Sequence, residues 1–370
     1  MSEVSYPIAI GRPTNRVTST LLGMSRFVHH HLLWLLIGAY AIAAVFPSPG
    51  LAIRNMSFGD LSVFQTTAHG SLLLLLLAML MLNAGLGVKT SHLQSLAAKA
   101  PVLVTGLIGN VLIPVAYIFV VTLMMSFWHN PEEAQHILVG LALVAAMPIA
   151  GASTAWTQNS NGNLVLSIGL VLLSTLLSPL VTPMAFYLFG EMASEEYEAI
   201  IHNVAHYGSG AFLGFWIVLP VLLGLSIRLA LPESRLTAVM PYIKVINALV
   251  LLVLNYCNAA VSLPQAVADR DWDFLAVTLS ITIGMCITAF AAAYWLGRLF
   301  HLGQAEHVAL MYGLGMNNNG TGLVLASLTL ASYPRVMVPI IFYNLVQHLV
   351  AGGVHERLNA KLVDHNTSRP

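Results

Sequence analysis

Ten apolar runs follow one another along this chain, near residues 30–46, 71–88, 101–127, 137–160, 164–190, 211–231, 243–263, 274–299, 305–331 and 335–354. A bilayer core of ~30 Å takes about 20 apolar residues per helical span, and most of these runs have that length. Only 8% of the 370 residues are charged, against about 25% in a soluble domain, so a water-facing surface cannot be assembled. The sequence therefore predicts an all-α membrane protein with ten transmembrane helices, two of them interrupted. Residues 1–29 read as a cytoplasmic N-terminal tail, 30–355 as the transmembrane domain and 356–370 as a cytoplasmic tail.

With ten spans, Arg12, Arg16, Arg26, Lys89, Lys99, Arg228, Arg235, Lys244, Arg298, Arg357, Lys361 and Arg369 collect on one side of the membrane. Arg54, Arg270 and Arg335 fall on the other. The bias places both termini in the cytoplasm, with the cell (inner) membrane as the expected location. The acidic residues divide as cleanly. Glu132, Glu133, the cluster from Glu191 to Glu198, and Asp269, Asp271 and Asp273 are expected in outward loops, and only Glu306 comes near a span. A site at mid-membrane must then be built from amides, hydroxyls, carbonyls and helix ends.

The breaks are where such a site is expected. The ninth run carries Gly313-Leu314-Gly315-Met316-Asn317-Asn318-Asn319-Gly320-Thr321-Gly322. Unpaired amides in hydrocarbon cost several kcal/mol each, so three consecutive ones must face protein, water or ligand. A half-helix start attracts anions, and a half-helix end with free carbonyls attracts cations. The fourth run breaks similarly at Pro148, Gly151, Ser153 and Thr154, while 158–163 read as a turn. The two breaks lie five spans apart, as do Asn83 and Asn255. An odd offset inverts the second copy relative to the first, giving repeats of about 30–190 and 205–355.

Other polar positions are less specific. Asn110 beside Pro114 reads as ligand or interhelical contact, and Ser167, Ser174 and Thr175 as hydroxyls bonded back to their own helix. His348, with Asn344 and Gln347, reads as a hydrogen-bonded filler or a proton carrier. Cys257 and Cys286 lie in apolar runs as small hydrophobes. There is no HExxH, no GxSxG and no pair of intramembrane aspartates, so an enzyme is not expected. Zero net charge gives no case for a nucleic-acid partner, and no cofactor is expected.

Asn83-Ala84-Gly85-Leu86-Gly87-Val88-Lys89, Gly109 to Pro114, Pro148 to Asn163, Ser178 to Pro183 and Gly315 to Asn318 together resemble the bile acid:sodium symporter family. That family belongs to the bile/arsenite/riboflavin transporter superfamily. The resemblance implies a five-plus-five inverted repeat with a panel domain (spans 1, 2, 6 and 7) and a core domain (spans 3–5 and 8–10). Helices 4 and 9 would break and cross. It also implies coupling of sodium to uptake of organic anions such as bile acids, pantoate or keto acids.

Carried over by position, the sodium ligands fall on Ser153, Thr154, Ser167, Asn110 and Asn317, with the backbone carbonyls of Leu314 and Met316. A threonine ligand position is Val171, and the acidic sodium ligand is Gly313. Substrate positions fall on Asn318 and His348, joined by Asn319, Gly151 and Ser153 around the half-helix starts. Losing the carboxylate leaves a midplane cation to dipoles alone, against its desolvation. The sequence thus predicts weakened or absent sodium coupling. The alternatives are a sodium-independent or proton-linked carrier of this fold, with His348 titrating, and a non-transporting membrane receptor. The expected partners are a small organic anion and the lipid bilayer, and the oligomeric state is left open.

Overall fold

The computed structural model describes residues 31–63, 66–88 and 95–367, together with Gly23 and Phe27. His29, His30 and most of the predicted N-terminal tail lie outside the described residues, as do Lys89 and Arg369. The helices are α1 (Leu32–Val45), α2 (Ser48–Arg54), α3 (Leu72–Leu86), α4 (Ala100–Met125), α5 (Pro131–Ala146), α6 (Ala152–Asn159), α7 (Leu164–Gly190) and α8 (Glu195–Asn203). They continue as α9 (Leu219–Ala230), α10 (Glu233–Ala268), α11 (Trp272–Leu299), α12 (Gln304–Gly315), α13 (Asn319–Thr329) and α14 (Met337–Thr367). Among the described residues, six helical stretches are long and apolar enough to cross a membrane unaided. The bent pair α1–α2, turned by 97°, adds a seventh if taken as one span. The chain is thus a largely helical integral membrane protein. Large apolar side chains such as Leu112, Leu180 and Trp295 point outward, as a lipid-facing surface requires.

Several expectations need correction. Between the first two apolar runs the chain forms an antiparallel hairpin of β1 (Ser57–Val63) and β2 (Thr66–Ser71), paired Ser57 with Ser71, an element the sequence reading did not assign. The acidic cluster from Glu191 to Glu198 is not all loop, because α8 begins at Glu195. From α8 the chain stays helical into α9 through π-helical segments at Val204–Ser209 and Leu213–Val218. The last helix continues to Thr367, so residues 356–367 are helical. The turn expected at 158–163 forms only after α6 ends at Asn159, with Asn161 at φ 55 in the left-handed region that asparagine tolerates.

Local chemistry explains the helix ends that matter most. Asn130 caps α5 by accepting from the backbone N–H of Glu132 (3.1 Å), and Pro131 and the two glutamates occupy the favoured first turn. The helix ends because Pro148 pushes Met147 to an extended conformation (ψ 149°). Asn163 caps α7 through Leu166 N–H (3.1 Å). Inside α7, Pro179 cannot donate to the Thr175 carbonyl, and the Ser178 hydroxyl takes that carbonyl instead (2.7 Å).

α1 packs along α10 and α3 along α9, while α4, α5 and α7 pack on one another and α11 on α12 and α14. The α3–α9 contact is backbone on backbone. A Cβ added at Gly224 would lie 2.0 Å from the Leu82 carbonyl oxygen, and one at Gly85 would lie 2.1 Å from that of Val221. Small residues permit this approach between membrane helices. Gly224→Ala is therefore expected to separate the pair and cost about 1–3 kcal/mol. It would read as a lowered thermal midpoint in detergent, and an unchanged midpoint would refute the close packing.

Candidate functional site

The two breaks face each other. Ala150 N–H donates to the Met316 carbonyl (2.9 Å) and Asn318 N–H to the Pro148 carbonyl (2.8 Å), so Ile149 and Asn317 pair as a single antiparallel bridge. Four half-helix termini meet around it: the ends of α5 and α12 and the starts of α6 and α13. Breaking a helix inside a bundle strips partners from carbonyls and amides, and the crossing replaces them one by one. Pro148 has no N–H to give the Val144 carbonyl, and the Asn317 side-chain amide donates to it instead (2.9 Å). Ser174 on α7 accepts from Ile149 N–H (3.1 Å), and Thr182 donates to the Ala146 carbonyl (2.6 Å). Gln347 on α14 accepts from Asn317 N–H (3.0 Å).

Behind Gln347 the polar chain continues across the molecule. Its amide donates to Asn344 Oδ1 (3.3 Å), and Asn344 donates to the Asn255 Oδ1 (2.9 Å) and the Tyr40 hydroxyl (2.7 Å). All four side chains are buried. A satisfied buried network of this kind holds its helices in one register. It ties α1 and α10 to the crossing through α14.

Asn110, Ser153, Ser167 and Asn317 are buried, and each keeps one side-chain oxygen without a hydrogen-bond partner among the described residues. Other predicted positions are already engaged. The Thr154 hydroxyl donates to the Gly151 carbonyl (2.7 Å), and the Met316 carbonyl is held by Ala150 N–H. Asn318 caps α13 through Thr321 N–H (3.3 Å), whereas both amide atoms of buried Asn319 are unpartnered. Gly151 is exposed, with nothing within 4 Å of an added Cβ. Leu314 is buried in an apolar cluster with Ile149, Leu166 and Leu170.

On α14, Gln347 reaches the crossing, while the neighbouring His348 accepts from the Trp156 indole (3.4 Å) on α6. Gln347 and Ser174 are the contacts that sequence reasoning did not assign. Their signal was present as polar side chains in apolar runs at the depth of the breaks.

Among the described residues, charged side chains gather into ion pairs. At one end Arg335 bonds Asp271 (2.9 Å) and Asp269 (3.0 Å), with Glu133 at 3.9 Å. Burial, and a hydrogen bond with Asp273, push the Asp271 carboxyl above its ordinary value, and Arg335 opposes that shift. At the other end Lys99 pairs with Glu306. The unpartnered oxygens of Asn110, Ser153, Ser167 and Asn317 are all neutral. They are hard donors suited to a small hard cation, without a carboxylate to offset its desolvation.

Two broken helices that cross and expose their termini inside an apolar bundle define a secondary membrane transporter. The model of the sodium bile acid symporter family matches residues 74–267, and the chain belongs to that family. It is a transporter and not an enzyme. It is similar to the uncharacterized protein YbaS of Bacillus subtilis (strain 168), 26% identical over 214 residues, which are 58% of this chain and 66% of that protein. It is similar also to the uncharacterized sodium-dependent transporter YocS of the same organism, 24% identical over 311 residues, 82% of this chain and 86% of that one. The probable sodium/metabolite cotransporter BASS2, chloroplastic, of Oryza sativa subsp. japonica is 25% identical over 55% of this chain and 45% of its own length. The match thus spans 66% and 45% of the first and third of these relatives.

Proposed function

We propose that this chain carries small organic anions across the cell membrane by alternating access, with sodium as a weakly held coupling ion. The reading takes the ten apolar runs as ten spans in two inverted repeats, with both termini cytoplasmic. In it, a core of spans 3–5 and 8–10 moves against a panel of spans 1, 2, 6 and 7. The observation that carries it is the hydrogen-bonded crossing between Pro148–Ala150 and Met316–Asn318, with helix starts directed into it. An anionic carboxylate placed there meets the N-termini of α6 and α13, at Gly151–Ser153 and Asn318–Asn319.

Sodium enters as co-transported cargo, and Ser153, Ser167, Asn110 and Asn317 are the residues proposed to hold it. Their neutral oxygens suit the ion, while Gly313 contributes no charge. YocS is named as sodium-dependent, which supports sodium as the ion. The missing carboxylate supports weak affinity for it.

The test is uptake by the purified chain in proteoliposomes, after a thermal-shift screen of organic anions in sodium, potassium or choline. A carboxylate that raises the thermal midpoint should also be transported, and replacing sodium by choline should slow uptake without abolishing it. Strict dependence on two sodium ions at physiological concentration would overturn the weak-coupling part. Failure of every carboxylate to bind or move would overturn the whole.

A further inference from the structure

A cavity of about 350 Å³ lies between α4, the end of α5 and α7. On α7 it is lined by Ser174, Leu177, Ser178, Val181, Thr182 and Ala185, a single stripe at helical spacing. Met147 and Pro148 at the break line it as well, beside the small side chains of Ala145 and Ala146. Pro179 and Pro183 lie on another face of α7. There a Cβ added at Gly210 would come within 3.1 Å of the Pro179 carbonyl oxygen and 3.5 Å of Pro183 Cγ. The cavity therefore opens away from the segment that leads into α9. Ile108, Leu112 and Leu177 form its rim, 52%, 57% and 40% exposed. The main neighbours of α4 are α5, α7, α11 and α12, so its remaining face meets lipid.

The hydroxyls in this lining are already engaged. Ser174 donates to the Val171 carbonyl (3.0 Å) and accepts from Ile149 N–H (3.1 Å). Ser178 donates to the Thr175 carbonyl (2.7 Å) and Thr182 to the Ala146 carbonyl (2.6 Å). Asn110 is the remaining polar residue, and its Oδ1 has almost no accessible surface. No charged side chain lines the space. An apolar cavity stays free of water and takes apolar molecules; one of about 150 Å³ holds benzene, so this one has room for about a dozen carbons. Ile108 and Leu112 sit near the middle of α4, and Leu177 near the middle of α7, which puts the rim near the midplane of a bilayer. Each leaflet of a ~30 Å core reaches about 15 Å, so the terminal carbons of its acyl tails arrive at that depth.

We infer that this cavity binds one acyl tail of a bilayer phospholipid, whose terminal carbons pack behind the Met147–Pro148 break. The lining is continuous with the lipid-facing surface at its rim, and it has no basic side chain to single out the carboxylate of a free fatty acid. The tail is therefore drawn from the commonest amphipath around the protein. Transfer from water does not drive the binding, because the tail leaves one apolar medium for another. The gain is dispersion contact for walls that would otherwise face a void. A seated tail braces the residues whose bonds to Ser174 and Thr182 hold the break in place. The site depends only on the chain lying in a bilayer, whichever anion is carried.

The experiment places the full chain in proteoliposomes doped with a phosphatidylethanolamine that carries a diazirine at the end of one acyl chain. After illumination, labelled residues are mapped by mass spectrometry. Labels are expected to concentrate on Ile108–Leu112 and Leu177–Ala185, several-fold above Ile283 and Ile287, which are exposed near the middle of α11. Ala185→Phe fills the cavity and should lower those labels about tenfold, while labelling of α11 stays level. If Ala185→Phe does not fold, Leu177→Trp closes the rim and makes the same comparison. Equal labelling of the cavity and α11 would overturn the inference, as would labels kept in the filled variant. Loss of the cavity labels on adding free palmitate would also overturn it, by showing a fatty acid as the occupant. Each of these outcomes leaves the proposed transport of organic anions standing.

Discussion

Asn317→Ala is expected to reduce uptake on the order of a hundredfold and to lower the thermal midpoint as well. Both effects follow from what one side chain does at the crossing. Its amide nitrogen replaces the backbone donor that Pro148 cannot offer to the Val144 carbonyl, at 2.9 Å. Its Oδ1 remains buried and unpartnered, available to a cation. Alanine keeps the backbone N–H to Gln347 but leaves the Val144 carbonyl with only the longer bond from Met147 N–H (3.3 Å), a cost of about 1 kcal/mol. Asn317→Asp is the informative companion, because it keeps the oxygen and removes the donor. Uptake and thermal unfolding measured together separate the two roles. Full transport activity in Asn317→Ala would show that the crossing does not carry the ion or the substrate.

The second large effect concerns the position where the charge is missing. Gly313→Glu is expected to make the protein strongly sodium-responsive. A Cβ at Gly313 would come within 3.0 Å of Leu170 Cδ1 and 4.0 Å of Ile149 Cδ1. The nearer contact is the end of a flexible side chain, so the substitution fits with a small shift. The new carboxylate would be buried next to Leu170 and Ile149, which is unfavourable for an ionised group without a counter-charge. Without sodium the variant should unfold at a lower temperature than the wild type. With sodium it should recover, since a bound ion at about 100 times its dissociation constant contributes about 2.7 kcal/mol. The sodium concentration for half-maximal uptake should fall about tenfold or more, a difference of at least ~1.4 kcal/mol in ion affinity. Equal sodium sensitivity in wild type and variant would show that Gly313 is not where the ion's charge is set.

The two breaks that frame the candidate site were legible because their signals are local. Pro148 and the Gly-Met-Asn-Asn-Asn string both mark helix breaks from sequence, and the helices do stop at Ala146 and Gly315. Asn110, Ser153 and Ser167 fall on ligand positions only by the resemblance, and each carries a buried oxygen without a partner among the described residues, so the own-helix bond expected of Ser167 is not made. The choice between neighbours was not legible. His348 drew attention as an intramembrane histidine, yet Gln347 bonds Asn317. Adjacent helical residues point about 100° apart, and no spacing rule says which one faces a partner from a distant segment. Ser174 was read as a hydroxyl bonded to its own helix. It does donate to the Val171 carbonyl (3.0 Å), and it also accepts from Ile149 N–H.

The hairpin at 57–71 and the π-helical segments before α9 were not foreseen. The hairpin lies in a polar connection without a strong two-residue alternation. The π segments add one residue per turn, a change that leaves the apolar run unaltered.

By itself the sequence determined that this protein lives in a membrane as a helical bundle, and where two of its helices break. Those outcomes depend on hydropathy summed over about 20 residues, on proline's missing N–H and on asparagine at helix starts, all readable within one turn of chain. Tertiary structure alone decided that the breaks pair with each other, that Asn317 replaces the donor lost at Pro148, and that a cavity stays open between α4 and α7. Each of those depends on the rotation and approach of helices far apart in the chain. Differences of a few ångströms there decide whether a polar group is satisfied or left for a ligand.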